Sequence, residues 1–395
     1  MSHLHRLLLV GMVVSTLLGI ISHRAQSAEW SAEPSFNVKG VYNSNLILST
    51  GNNEVWGYWT SPAVKFKGAT ESFMIEGNAQ ADFVQYYGQQ DRGFTNLLFP
   101  VRTSYEWERL KFGFDGGFTR DNTLMSELRQ TGLVLTFTQR NLWTANPSVT
   151  VGLAERVSWQ VGYQFVDATY QNGLSLGLVN YQTNGGTSEL SYELREHDKI
   201  KLIGEATNFV ASQIQQTWTY EGVKIGASHD FSESLSATVS GGPKFITSTK
   251  GGVPGGSLTQ HDVVWVYNAN IKQEFEQSTI SLDGGRELYP SGFGLLVQTD
   301  RVTGSISHRL TENLTASLTG GLYFTQPVAS TGGSFPQTRY INVNPNVSWK
   351  FAQWWTLSVG YTYAERAVGS VNFWANANST FVMLTYTGDK WSVSR

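Results

Sequence analysis

The segment Val157-Ser158-Trp159-Gln160-Val161-Gly162-Tyr163-Gln164-Phe165 puts a large apolar residue at every odd position and a small or polar one at every even position. Consecutive side chains on an extended strand point to opposite faces, so such a segment offers one face to an apolar medium and the other to water. The pattern returns in Phe112–Phe118, in Val263–Phe275, where Val263, Trp265, Tyr267, Ala269, Ile271 and Phe275 alternate with polar residues, and in Trp355–Tyr363. These runs reach the about 9–11 residues that a tilted strand needs to cross a bilayer, and exceed the soluble average of about 5–6. Beyond the N-terminal segment no helical period persists for more than about two turns.

Composition fits half of each strand facing lipid. The chain carries 40 Gly, 13 Trp, 17 Tyr and 21 Phe with only 15% charged residues and a mean hydropathy of -0.22. A soluble domain has about 25% charge. A net charge of -3 argues against a nucleic-acid partner.

His5 and Arg6 precede an apolar run from Leu7 to Ile21, which is too short to span a bilayer. Ala25-Gln26-Ser27-Ala28 follows it, and its small residues suit signal peptidase, so residues 1–28 read as a signal peptide and 29–395 as the exported part. The chain has no cysteine, which excludes a lipoprotein anchor, disulfides and thiolate metal sites. No linker divides the exported part, so a single domain is expected.

Tight polar connections at Lys67–Ala69, Trp107–Leu110, Ala154–Val157, Arg195–Asp198, Asp230–Ser234, Glu276–Ser278, Leu310–Asn313 and Phe351–Trp354 alternate with longer ones. The longer ones are Ser49–Asn53, Gly88–Thr95, Asp121–Arg140, Gln171–Tyr181, Lys250–His261, Tyr289–Leu296, Pro327–Gln337 and Val368–Ala375. Short periplasmic turns and long external loops produce this asymmetry, and the segments between them number about 18 strands, within about 16–20. Pro147 and Pro345 are expected to mark strand ends or bulges. Lipid leaves no backbone group unpaired, so the predicted fold is all-β: one closed transmembrane antiparallel barrel in the bacterial outer membrane.

Val38-Lys39-Gly40-Val41-Tyr42-Asn43-Ser44-Asn45 resembles the opening strand of outer-membrane β-barrels associated with exopolysaccharide and PEP-CTERM (exosortase) gene clusters, with Asn43 in place of that family's usual Asp. Thr123–Leu128 with Thr131-Gly132, then Asn146-Pro147-Ser148, then the hairpin through Ala154-Glu155-Arg156-Val157 to Val161-Gly162-Tyr163 follow the family's order of loop, proline-led strand and turn. The resemblance implies a protein working beside polysaccharide synthesis or export, and brings no catalytic motif with it. One departure lies in the last strand, Phe381–Tyr386, which continues to Arg395, so the barrel-assembly signal is expected internally at Tyr386 or Trp391.

Chemistry-bearing residues are sparse. His197, His229, His261 and His308 show no metal-ligand spacing, and in Ser228-His229-Asp230 the first two residues fall on opposite strand faces. Gly251-Gly252-Val253-Pro254-Gly255-Gly256 lacks the Gly-Lys-Ser/Thr of a phosphate loop. No catalytic residue, metal or organic cofactor is therefore implied. Lys111, Asp115, Glu193, Arg195, Lys199, Lys201, Glu205, Lys272 and Glu274 fall in the lumen phase with both signs mixed. Trp56, Tyr58, Trp59, Phe293, Phe335 and Trp374, assigned to the outer loops, and Tyr323, assigned to the inward phase, are candidates for stacking on glycans, against interface anchoring as the plain alternative. Three functions stay open: a non-enzymatic pore or accessory barrel in polysaccharide export, a structural or adhesive barrel with glycan- or partner-binding loops, and an outer-membrane hydrolase. Expected partners are outer-membrane lipid and the barrel-assembly machinery, with extracellular polysaccharide and periplasmic export components under the first function.

Overall fold

In the computed structural model, which describes residues 28–394 apart from 52, 89–90, 125–126, 129–136, 254–255, 329–335 and 370–372, alternation is realised as one continuous antiparallel sheet. Residues 1–27 of the proposed signal peptide and Phe335 lie outside the described residues. The first strands are β1 (Glu29–Asn43), β2 (Val55–Ala69), β3 (Phe73–Gly88), β4 (Arg92–Trp107), β5 (Leu110–Asn122) and β6 (Gln139–Ala154). They are followed by β7 (Val157–Tyr170), β8 (Tyr181–Arg195), β9 (Asp198–Ala211), β10 (Gln216–Ser232), β11 (Leu235–Val253) and β12 (Gly256–Glu274). The ring is completed by β13 (Ser278–Pro290), β14 (Leu296–Thr311), β15 (Leu314–Pro327), β16 (Thr338–Ala352), β17 (Trp355–Val368) and β18 (Phe373–Thr387), with a short β19 (Trp391–Ser394).

Each strand pairs with its neighbours in sequence, and β1 closes the ring on β18 over Ser35↔Thr387 to Asn43↔Ser379. β19 continues that closure along Glu29–Ala32. The expected barrel of about 18 strands is thus present, and closure leaves the long strands no open edge at the joint.

The outward phase carries an apolar belt that includes Val223, Ile225, Val239, Ile271, Leu282 and Ile306. Near the short-turn end the exposed aromatics Trp30, Trp107, Phe231, Phe275, Trp349 and Trp391 ring the belt, and near the long-loop end Trp56, Tyr58, Tyr87, Trp143 and Trp374 do so. An apolar band between two aromatic girdles is the exterior of a bacterial outer-membrane barrel. Its short-turn end is the periplasmic one.

Two expectations change. Pro147 and Pro345 sit inside β6 and β16, in register with Phe114 and Leu318, rather than at strand ends. Lacking an N–H, each interrupts the ladder on its other side: pairing jumps from Ala145↔Phe165 to Ser148↔Gly162, and from Val343↔Tyr363 to Asn346↔Gly360. The connection Lys250–His261 is also shorter than expected, because β11 and β12 extend to Val253 and Gly256.

Candidate functional site

The residues in the lumen phase divide by height. In the periplasmic half they are amides, hydroxyls and charges; Gln160, Asn268, Asn270 and Asn346 are examples. The sequence-predicted charges lie here and are largely compensated in pairs. Lys111 meets Glu106 at 2.7 Å, Asp115 accepts from Arg102 at 2.8 Å, Glu193 meets Lys199 at 3.0 Å and Lys201 meets Glu189 at 2.8 Å. Glu205 bridges Lys224 at 3.1 Å and Lys244 at 2.5 Å, and Lys272 pairs with Glu274. Arg195 shares this phase at the end of β8, opposite Asp198. Alternating signs on one wall create no strong field of either sign.

The outer half of the lumen carries an apolar cluster, beside buried polar side chains such as Gln216, Ser248 and Thr299. Trp218, Phe209, Ala168, Tyr181, Ile246 and Val266, from the lumenal faces of β7 to β12, form a buried cluster with Leu178 and Val179 of the β7–β8 loop. The connection predicted as the external loop Tyr289–Leu296 is part of this cluster, which corrects that expectation: the β13–β14 tip folds into the barrel. Leu288 and Leu296 belong to the outward phase of their strands, in which Leu282 and Val302 are 50% and 51% exposed, yet they are 7% and 0% exposed. The backbone is held there by polar contacts: the Trp218 indole donates to the Gly294 carbonyl at 3.2 Å, and the Val179 amide to the Gly292 carbonyl at 2.7 Å. Gly294 has φ +72°, and a Cβ there would meet Ile214 at 2.5 Å, so the turn requires glycine.

A buried polar latch completes this plug. Glu127, from the β5–β6 connection, accepts from the Tyr170 hydroxyl at 2.6 Å and from the Gly292 amide at 3.3 Å. Beside it Arg140 donates to both oxygens of Asp121 at 3.1 and 2.8 Å, a two-point ion pair joining β6 to β5. Burial pushes the Glu127 carboxyl above the ordinary carboxylate range, against the opposing effects of the Tyr170 hydrogen bond and the Arg140 charge. Sequence reading missed these residues. Leu128, buried with Tyr340, Ala364, Ala375 and Ala377, and Leu124 packed beside them were the available sign that this connection enters the lumen.

The candidate aromatics scatter. Trp56, Tyr58 and Trp374 lie in strands rather than loops and face outward as girdle residues. Trp59 also lies in a strand, but on the lumenal side, where its indole donates to the Tyr86 hydroxyl at 3.2 Å and the Lys39 ammonium sits 5.0 Å from its ring. Tyr323 faces the lumen against Tyr340, ring centroids 5.8 Å apart, and Phe293 packs on the plug. Ser228 lies in the lumen phase and His229 in the outward phase, where its Nδ1 is 2.7 Å from Asp198. His308 makes an outward contact with the Ser278 hydroxyl at 2.7 Å. No group of three His, Asp or Glu able to hold a metal occurs among the described residues.

No protein-family model matches the chain, and no curated relative does. Similar solved structures include OccAB3 of Acinetobacter baumannii, with TM-score 0.47, 9% identity, and coverage of 92% of this chain and 99% of that one. Others are OccK2 (OpdF) of Pseudomonas aeruginosa in complex with glucuronate, at TM-score 0.45, 7% identity and coverage of 91% and 97%, and OpdK of the same organism with vanillate, at 0.45, 9%, 91% and 99%.

Proposed function

We propose that the chain is a non-enzymatic outer-membrane pore for neutral, polyhydroxylated solutes, serving extracellular polysaccharide export and closed at rest by its own plug. The observation that carries this is the periplasmic half of the lumen. Amides and hydroxyls such as Gln160, Asn268, Asn270 and Asn346 line its wall, while its charges neutralise one another. Such a wall exchanges hydrogen bonds with sugar hydroxyls and exerts little net pull on ions. The resemblance of the opening strand and the β6–β7 region supplies the polysaccharide setting, and the periplasmic export components and polymer remain partners under this proposal.

The test is single-channel conductance of the refolded mature chain in a planar bilayer, with neutral and acidic oligosaccharides added to either side. Brief openings interrupted by neutral sugars support the reading. Silence in a correctly inserted protein overturns it in favour of a structural or adhesive barrel. That second reading draws on the cluster that packs the β13–β14 tip into the outer half and on a depression of about 300 Å³ at the mouth, lined in part by Tyr170, Asn172, Asn180 and Gln213. The export setting has its own test: a deletion strain should retain polymer in the periplasm, and normal surface polymer would remove that part of the proposal.

A further inference from the structure

Charge is distributed unevenly round the lumen. Ion pairs stand on β3 to β5, where Arg102 joins Glu76 and Asp115, and on β8 to β12, where Glu189 meets Lys201 and Lys272 meets Glu274. On β13 to β18 the wall between Asp283 and Arg301 above and Arg309 and Lys350 below carries none. In one row across these six strands Ser281 faces Ser305, Ser305 faces Thr319 and Thr319 faces Asn344, followed beyond the interruption at Pro345 by Thr362 and Ser379. The row below it, from Thr279 through Ser307, Ser317 and Asn346 to Gly360, is again hydroxyl, amide or glycine. Their outward neighbours Leu282, Ile306, Leu318, Val343, Val359 and Val382 are exposed, which fixes both rows on the lumenal face.

Neighbouring strands lie about 4.8 Å apart and alternate residues about 6.8 Å apart along each, so the two rows form a grid of hydrogen-bonding groups. Some of its hydroxyls already meet, Ser281 and Ser305 at 2.9 Å among them. A hydroxyl has one donor and two acceptor sites, so such a contact leaves capacity for a ligand. The ion-paired stretches are less accommodating to a neutral solute, because a sugar hydroxyl there must displace a charge-assisted bond roughly twice as strong as its own. At the head of the grid the Tyr323 phenol folds back over Gly321, where a Cβ would lie 2.7 Å from the ring. The ring therefore lies along the wall, and above it pack Leu48, Leu128, Tyr340 and Ala364.

We propose that the lumenal face of β13–β18 is the docking track for a neutral saccharide chain entering from the periplasm, held by Ser305, Thr319, Asn344 and Thr362, with one sugar ring against Tyr323. The track rests on the reading of the lumen as a passage for polyhydroxylated solutes, and it assigns that passage to one wall.

The test is a saturation-transfer NMR titration of the detergent-folded mature chain with maltohexaose, each variant first being checked for heat-modifiable mobility. Thr319→Val combined with Asn344→Leu removes two hydrogen-bonding groups from the track and should weaken binding about tenfold or more. Tyr323→Leu should weaken it as well, through loss of the stacking face. Gln164→Leu, which removes an exposed amide from the lumenal phase of β7 across the barrel, should leave it unchanged. Equal losses in the double variant and in Gln164→Leu, or a loss in the latter alone, overturn the track while leaving the passage reading intact. No binding of maltohexaose by the unmutated chain overturns both.

Discussion

Glu127 and Trp218 show how single side chains hold the plug. Glu127 is enclosed by the Tyr170 hydroxyl and the Gly292 amide, with Arg140, Asp121 and Tyr181 as its charged and titratable surroundings. An unfolded glutamate titrates near about 4.3, and burial raises the folded value. The folded state therefore holds the proton more tightly, so this contribution to docking is complete below the ordinary carboxylate pKa and is lost as pH rises through the raised one. Amide exchange at Gly292 and Val179, corrected for intrinsic rates, should accelerate with pH through that window. Glu127→Gln, which keeps an acceptor for Tyr170 without the ionisation, should flatten the dependence, and an unchanged profile would contradict the assignment. Trp218 is fully buried and donates to the Gly294 carbonyl. Trp218→Ala should cost about 3–5 kcal/mol in urea unfolding from a bilayer, because it removes a large packed side chain and leaves a carbonyl unpaired.

At the scale of elements, the β13–β14 hairpin departs furthest from a plain barrel, and its departure rests on Gly285. Gly285→Val would drive side-chain atoms into the Tyr267 carbonyl, pushing the hairpin off β12 and the tip out of the plug. The expected outcome is a loss of about 1–3 kcal/mol in unfolding, typical of overpacking, with more frequent channel openings in a planar bilayer. Unchanged conductance and stability would mean that the hairpin bends elsewhere. The strands themselves were legible because each must present lipid on one side and water on the other, as Val157–Phe165 does, and that demand writes period two into the sequence. The tip was not legible by that rule. Ser291-Gly292-Phe293-Gly294 has the composition of an external loop, and its inward path depends on partners more than a hundred residues distant, Glu127 among them. The uninterrupted run Leu295-Leu296-Val297 was the local sign, since a strand buried on both faces abandons alternation. Trp56 and Trp59 teach the complementary point. Three positions apart on one strand, they face lipid and lumen respectively, and only the register of β2 separates a girdle residue from one inside the barrel.

For the molecule as a whole, stability is a property of closure. Every long strand has ladder neighbours on both sides, β12 keeping β13 only as far as Tyr267, and the ring is sealed where β18 meets β1 over nine pairs, with β19 adding four more along Glu29–Ala32. Opening that joint in lipid would expose a row of unpaired backbone groups, each costing several kcal/mol, so the barrel should resist SDS until it is heated. With no cysteine in the chain, reductant should have no effect on this resistance. Truncation discriminates between the parts of the seal. Removing β19 leaves the β1–β18 ladder intact, so the shortened chain should still migrate as a folded, heat-modifiable band, melting at a lower temperature because the start of β1 loses one partner. Truncation before Phe373 removes β18 and leaves β17 and β1 as free edges within the belt, and this chain should run as the unfolded form whether boiled or not. Heat-modifiable mobility in the second truncation would show that β17 and β1 can close a smaller ring, and that the seal is less specific than the register of β18 on β1 implies.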